Sequence, residues 1–144
     1  MKTEIWKDVV DYEGLYQVSN LGRVKSFSRP GNWKERILKL VLDGDGYYCV
    51  SLYKNGKRKR FSVHRLVVMA FIGPIPKGLV VNHINECQTD NGLENLEICT
   101  HTENMNHGTC NARRSASLKG RKFSEEHKRN LSKAQKARIR KRGA

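Results

Sequence analysis

Prolines are scarce, three in 144 residues, and the longest uninterrupted apolar run is Leu66–Ile72. A bilayer-spanning helix needs roughly 20 apolar residues, so none is expected, and the chain does not open on the basic-then-apolar pattern of a secretory leader. A soluble, cytoplasmic protein without a membrane partner follows as the expectation. Short cysteine spacings are also missing. Cys49, Cys87, Cys99 and Cys110 include no C-x-x-C pair, the arrangement typical of closed zinc sites. They read as reduced thiols, with a zinc knot of Cys87, Cys99, Cys110 and His107 as the competing reading. Acidic residues are the last shortage: 14 Asp and Glu face 28 Lys and Arg, for a net charge of +14. That excess points to a polyanionic partner, above all nucleic acid.

The charge is unevenly placed. Residues 112–144 carry 13 Lys and Arg against 2 Glu, or +11, whereas residues 1–111 carry 15 against 12, or +3. The tail is the electrostatic arm. The remainder is long enough for one ordinary domain or two small modules on a thin core.

Patterning divides the chain further. Tyr16–Ser19 and Arg23–Phe27 alternate apolar and polar residues around the turn Asn20-Leu21-Gly22, which predicts a hairpin. Trp6, Tyr12, Leu15 and Tyr16 would cover one side of it as a miniature aromatic core. Three further strands are expected at Ile37–Leu42, Tyr47–Tyr53 and Lys59–Val63, as an antiparallel meander with Asn55-Gly56 as its tight turn. His64–Phe71 has Leu66, Val67, Ala70 and Phe71 at helical spacing, and Gly73, Pro74 and Pro76 end that helix. A compact β-β-α unit then follows: strand Leu79–Ile84, polar loop Asn85–Gly92, strand Leu96–Thr100 and helix His101–His107. Thr100 and Glu103 have capping-box spacing, and Gly108 stands where a helix would terminate. Ser124, followed by Glu125 and Glu126, marks the start of a basic helix running through Arg140, with few large apolar groups to fold it without a partner.

Three blocks lie in order on this β-β-α unit: Val81-Asn82-His83-Ile84, Glu94-Asn95-Leu96-Glu97 and Glu103-Asn104-Met105-Asn106. With the preceding His64–Ile72 segment, they resemble the HNH nucleases, particularly the compact phage and intron-encoded kind. Residues 4–24 resemble the modular DNA-binding motif often fused to such nucleases. Ser117–His127 looks like a second module, a basic loop leading into a helix, of the sort found in homing endonucleases. The fold implied is α+β: a small N-terminal antiparallel β module over residues 1–60, a central ββα-metal unit over 61–111, and a basic helical tail over 112–144.

The resemblance implies a metal-dependent DNA endonuclease of the homing or mobile-element type, in a bacterial host or phage-infected cell. Phosphodiester hydrolysis needs an activated water, stabilisation of the charge at phosphorus and help for the departing 3′ oxygen. A neutral imidazole suits the first task, and His83 is the expected general base. One divalent ion serves the other two. Asn82 and Asn104 would hold it through hard carbonyl oxygens, an arrangement suited to magnesium or manganese. Asn95, by the same resemblance, fastens the loop between the strands. The family also implies that the His83 backbone carbonyl is bonded by helper groups and that one of them orients the imidazole, but nothing in the sequence identifies which.

Two departures stand out. Relatives often have histidine or aspartate where this chain has the uncharged Asn82, and some have a second helical ligand where this chain has Gly108. His101 and His107 flank Asn104 and are alternative ligands or phosphate contacts. His64 reads as a structural histidine at a helix start.

Double-stranded DNA is the expected partner of a monomer whose single active site would nick first. The expected contacts are Arg23, Lys25, Arg58 and Arg60 on strands and turns, joined by Arg29, Lys57 and Lys59, and Arg113, Arg114, Lys119, Arg121, Lys122, Lys128 and Arg129 in the tail. If the tail neutralises on the order of six phosphates, affinity falls steeply with salt. The alternatives are a DNA-binding regulator that kept the fold and lost turnover, and an RNA-associated basic protein, which would explain the charge but not the motif.

Overall fold

The computed structural model describes residues 3–27, 34–120 and 124–142, without the side chains of 110, 114 and 134–142. They fall into two units, Met1–Gly108 and Thr109–Ala144.

In the first unit, β1 (Trp6–Asp8), β2 (Tyr16–Ser19), β3 (Val24–Ser26) and β4 (Arg36–Ile37) form an antiparallel sheet in sequence order. The hairpin β2–β3 turns through Gly22, whose φ of +79° is costly for any residue with a Cβ. A second sheet comprises β5 (Val41–Leu42), β6 (Tyr48–Lys54) and β7 (Lys57–Ser62). Asn55 and Gly56 both have positive φ, 51° and 73°. That is the mirror-image turn whose twist matches its flanking strands.

The single strand expected over Ile37–Leu42 is instead two short ones in different sheets, because its ends find different partners. Ile37 pairs with Lys25, while Val41 pairs with Cys49. Leu38 and Leu40 pack against the core between them, so the segment crosses from one sheet to the other.

Helix α1 (Val63–Phe71) turns Val63, Leu66 and Val67 inward, at the i, i+3, i+4 spacing of one helical face. They join Val9 just after β1, Tyr16, Val18 and Val24 of the N-terminal sheet, Val50 and Leu52 of β6, and Leu96 in one continuous core. Tyr12 meets Tyr16 and Phe61 edge-on, and the Tyr16 hydroxyl accepts from the Tyr53 N–H at 3.1 Å. Trp6 lies apart from this aromatic group. It is half-buried, with Lys25 Nζ 4.7 Å and the Arg23 guanidinium 5.7 Å from its ring centre.

The β-β-α unit is β8 (Leu79–His83), a 3-10 turn at Leu93–Asn95, β9 (Leu96–Thr100) and α2 (His101–Asn106). Thr100 and Glu103 form the reciprocal capping box. The N-terminal hairpin reaches this unit directly. The Leu93 N–H donates to the Asn20 carbonyl at 2.8 Å, and Gly22 approaches Asn91 so closely that a Cβ would lie 2.7 Å from the Asn91 Cβ.

In the second unit, α3 (Cys110–Leu118) is helical where a basic loop was expected to begin. It is followed by α4 (Glu125–Arg142), whose first turn is capped by a bond from the His127 N–H to Ser124 Oγ.

Gly22→Ala combines positive-φ strain with a backbone clash at Asn91. It is expected to destabilise the protein by about 1–3 kcal/mol, measured as a lower urea midpoint. An unchanged midpoint would show that the hairpin turn and the loop are not packed as described.

Candidate active site

The antiparallel register of β8 and β9 places Asn82 opposite Glu97 and His83 opposite Leu96. Alternation along a strand then divides the residues between two faces. Asn82, Glu97, Val80 and Cys99 share one face. Helix α2 packs on both strands, and the Asn104 backbone and the Glu103 carboxylate lie close enough to Cys99 to act on its thiol, which puts the helix over that face. Asn82 and Asn104 are therefore brought to the same side of the hairpin. His83 lies on the other face with Leu96, towards α1.

His83 is buried, and its Nε2 lies 3.1 Å from Asn91 Oδ1. Asn91, also buried, directs its Nδ2 to the Thr89 carbonyl at 3.4 Å. A carbonyl only accepts, so the amide's oxygen faces the imidazole and Nε2 must carry the hydrogen. In the neutral ring the lone pair is then on Nδ1. Among the described residues the sole buried side-chain polar atom without a partner is His64 Nδ1. His83 Nδ1, which has no protein partner, thus keeps contact with solvent. Asn91 is the orienting group that sequence reasoning missed. Its only signal is adjacency to Gly92 and Leu93, where the loop turns in toward the core.

Asn95 closes the loop. Its Nδ2 donates to Asn85 Oδ1 at 2.9 Å and to the Asp90 carbonyl at 2.8 Å, while its Oδ1 accepts from the Asn85 N–H at 2.9 Å. Asn85 in turn donates to Asp90 Oδ2 at 2.7 Å. The His83 carbonyl accepts from the Glu86 N–H at 3.0 Å, a local turn with Glu86 at a φ of 59°. Glu86 also explains Gly108: its carboxylate occupies the space into which a Cβ at 108 would project.

The donor set fits a hard divalent cation. Asn82 Nδ2 donates to Glu97 Oε1 at 2.8 Å, which turns Oδ1 away from Glu97 as an available oxygen donor. Half-buried Asn104 adds a second neutral amide. No group of three or more His, Cys, Asp or Glu side chains suited to a metal exists among the described residues. Oxygen donors with room for water and phosphate are what magnesium or manganese prefer. His101 is exposed at the start of α2, and His107 caps its end.

A second imidazole backs the first. The rings of His64 and His83 lie 5.2 Å apart, and Tyr47 lies 5.0 Å from His64 and 5.9 Å from His83. Burial, and after it the nearby His83 and Arg65 charges, lowers the His64 pKa from 6.5 to about 4.

The expected DNA contacts differ in their surroundings. Arg23 pairs with Glu4, and Lys25 Nζ lies 3.1 Å from the Glu35 carboxylate. Arg58 donates to Ser51 Oγ at 3.0 Å, and Lys128 pairs with Glu125 at 2.6 Å. Arg58 and Arg60 also line a cleft of about 440 Å³ with Arg36 and Lys39, two cations the sequence did not single out. Arg113 and Lys119 are exposed in the second unit. Arg29, Arg121 and Lys122 lie outside the described residues, as does the side chain of Arg114.

Residues 4–53 match the NUMOD4 motif, and residues 61–106 match the HNH endonuclease family. The chain is 40% identical over 124 residues to the DNA endonuclease I-HmuI of Bacillus phage SP01, spanning 81% of this chain and 68% of that protein. It is 38% identical over 106 residues to an uncharacterized HNH endonuclease of Acanthamoeba polyphaga mimivirus, spanning 74% of this chain but 30% of that one. A solved structure described as DNA binding and cleavage by the HNH homing endonuclease I-HmuI superposes with a TM-score of 0.63 at 33% identity, over 92% of this chain and 68% of that one.

The buried His64 makes stability depend on pH. Below its ordinary value of 6.5 the unfolded chain takes up a proton that the folded chain refuses until about pH 4. Stability should therefore fall as pH drops through that window, by roughly 3 kcal/mol in all at about 1.4 kcal/mol per pKa unit. Urea unfolding of His64→Phe should lack this component, and equal pH slopes in variant and wild type would exclude it.

Proposed function

We propose that this chain, which belongs to the HNH endonuclease family, hydrolyses phosphodiester bonds of double-stranded DNA with His83 as its general base. The observation that carries the reading is the bond between His83 Nε2 and Asn91 Oδ1. In the neutral ring this bond fixes the hydrogen on Nε2 and leaves the lone pair on Nδ1, able to take a proton from water. As the ring becomes cationic, the Nε2–H donated to Asn91 becomes a charge-assisted bond, which stabilises the imidazolium. Asn95 contributes by holding the loop that carries Asn91, and it acts on position rather than on substrate.

One divalent cation, magnesium or manganese, would be held by Asn82 and Asn104 and would supply charge neutralisation at the phosphate and the leaving oxygen. Neutral ligands favour binding that is weak without DNA, since the phosphate itself then provides part of the negative charge. The basic cleft of Arg36, Lys39, Arg58 and Arg60 and the +11 tail support a duplex held at several separate places. Such extended contact suits a homing or mobile-element nuclease with a long, tolerant site. Working as a monomer, one active site nicks first.

In a plasmid assay with magnesium or manganese, wild type should convert supercoiled DNA carrying the target to open circle, and chelation should stop it. His83→Ala should lower the rate at least about 100-fold, the scale of general-base catalysis, while still shifting the target duplex in a gel. Wild-type nicking by His83→Ala would overturn the assignment. Specific binding by a wild type that does not nick would identify a regulator on a nuclease fold.

A further inference from the structure

Beyond the residues the family motif singles out, we infer that Glu97 is the positioning residue of the metal site, fixing the Asn82 amide and supplying the negative charge that neither asparagine ligand has. This rests on the reading of Asn82 as a ligand. Glu97 stands directly opposite Asn82 in the β8–β9 ladder, and its Oε1 accepts from Asn82 Nδ2 at 2.8 Å. An ionised carboxylate has no hydrogen to give, so the amide has one orientation in this pair: nitrogen to Glu97, oxygen away. Asn82 is 8% exposed. Its Oδ1 has no protein partner and is not a sealed orphan, since His64 Nδ1 alone has that status among the described residues. The oxygen is held, desolvated on most sides, and available.

Charge follows from the same bond. A carboxylate accepting from an amide N–H polarises the group, so that its oxygen becomes more negative. Partners of this kind, one bond removed from the metal, raise ligand basicity and lock ligand orientation. Glu97 thereby gives a neutral asparagine part of the character of an aspartate. The carboxylate lies across the strand pair, where β-sheet geometry holds it in register, rather than on the ligand itself.

The test is titration of the full chain with Mn²⁺ alone, followed by calorimetry and by loss of the free-ion paramagnetic signal, with circular dichroism to verify folding. Glu97→Gln retains an oxygen that can accept from Nδ2, so the geometry survives and the charge goes. Mn²⁺ affinity should fall about 10–100-fold. The swap Asn82→Asp with Glu97→Gln keeps a complementary pair and moves the carboxylate onto the ligand, and it should restore affinity to wild type or above. Wild-type affinity in Glu97→Gln, with affinity lost in Asn82→Ala, would overturn this inference and leave the metal site standing. Wild-type affinity in Asn82→Ala would overturn the site itself. A failure of the swap to rescue a folded Glu97→Gln would likewise overturn the role assigned to charge.

Discussion

The register between β8 and β9 is the constraint on which the site depends. Side chains alternate along a strand, so a slip of one residue would exchange every group between the two faces of the hairpin. In the observed pairing Asn82 meets Glu97 below α2, and His83 points the other way, toward Asn91 and α1. Adjacent residues thus meet different neighbours because their side chains leave the strand on opposite sides. Leu96, buried opposite His83, and Val81 and Ile98, packed on the same core, make any slip costly. Apolar burial in the interior thereby sets which polar groups share each face of the hairpin.

The same core ties the N-terminal sheet to the nuclease unit. The two family matches divide between residues 53 and 61, yet Val18 and Val24 share an interior with Leu66 and Leu96. The turn at Gly22 presses on Asn91, the residue hydrogen-bonded to the His83 ring. The hairpin of the NUMOD4 motif is thereby one contact from the His83 imidazole. Displacing that turn would displace Asn91 and, through it, the His83 ring.

What could be read in the sequence was what local chemistry determines. The Asn55-Gly56 turn, the Thr100–Glu103 capping box and helix α1 each follow from a few neighbouring residues, and each is present. The motif likewise located His83, Asn82, Asn95 and Asn104 on the strands, loop and helix where they stand. What was not legible depends on distant partners. Ile37–Leu42 has an unbroken strand pattern, and its division is decided by Lys25 and Cys49, which compete for opposite ends. Asn91 is one of several Asn and Asp residues in a polar loop, and only the packed structure distinguishes the one that meets the imidazole. Arg23 and Lys25 likewise gave no sign that Glu4, Glu35 and Trp6 were their neighbours.

His64 shows how the remaining burial serves the site. Two imidazoles with centres 5.2 Å apart would repel if both were charged. Burial resolves the conflict in one direction, since it disfavours the proton on His64 and lowers its pKa to about 4. At neutral pH His64 accordingly gives His83 a wall of ring atoms without a competing charge. The cost is a buried Nδ1 with no hydrogen-bond partner, of the order of 1–3 kcal/mol for such a group. A protein needing only a filled core could place leucine there at less expense. A flat ring packed against both Tyr47 and His83 holds a spacing between them that a branched aliphatic side chain would not reproduce.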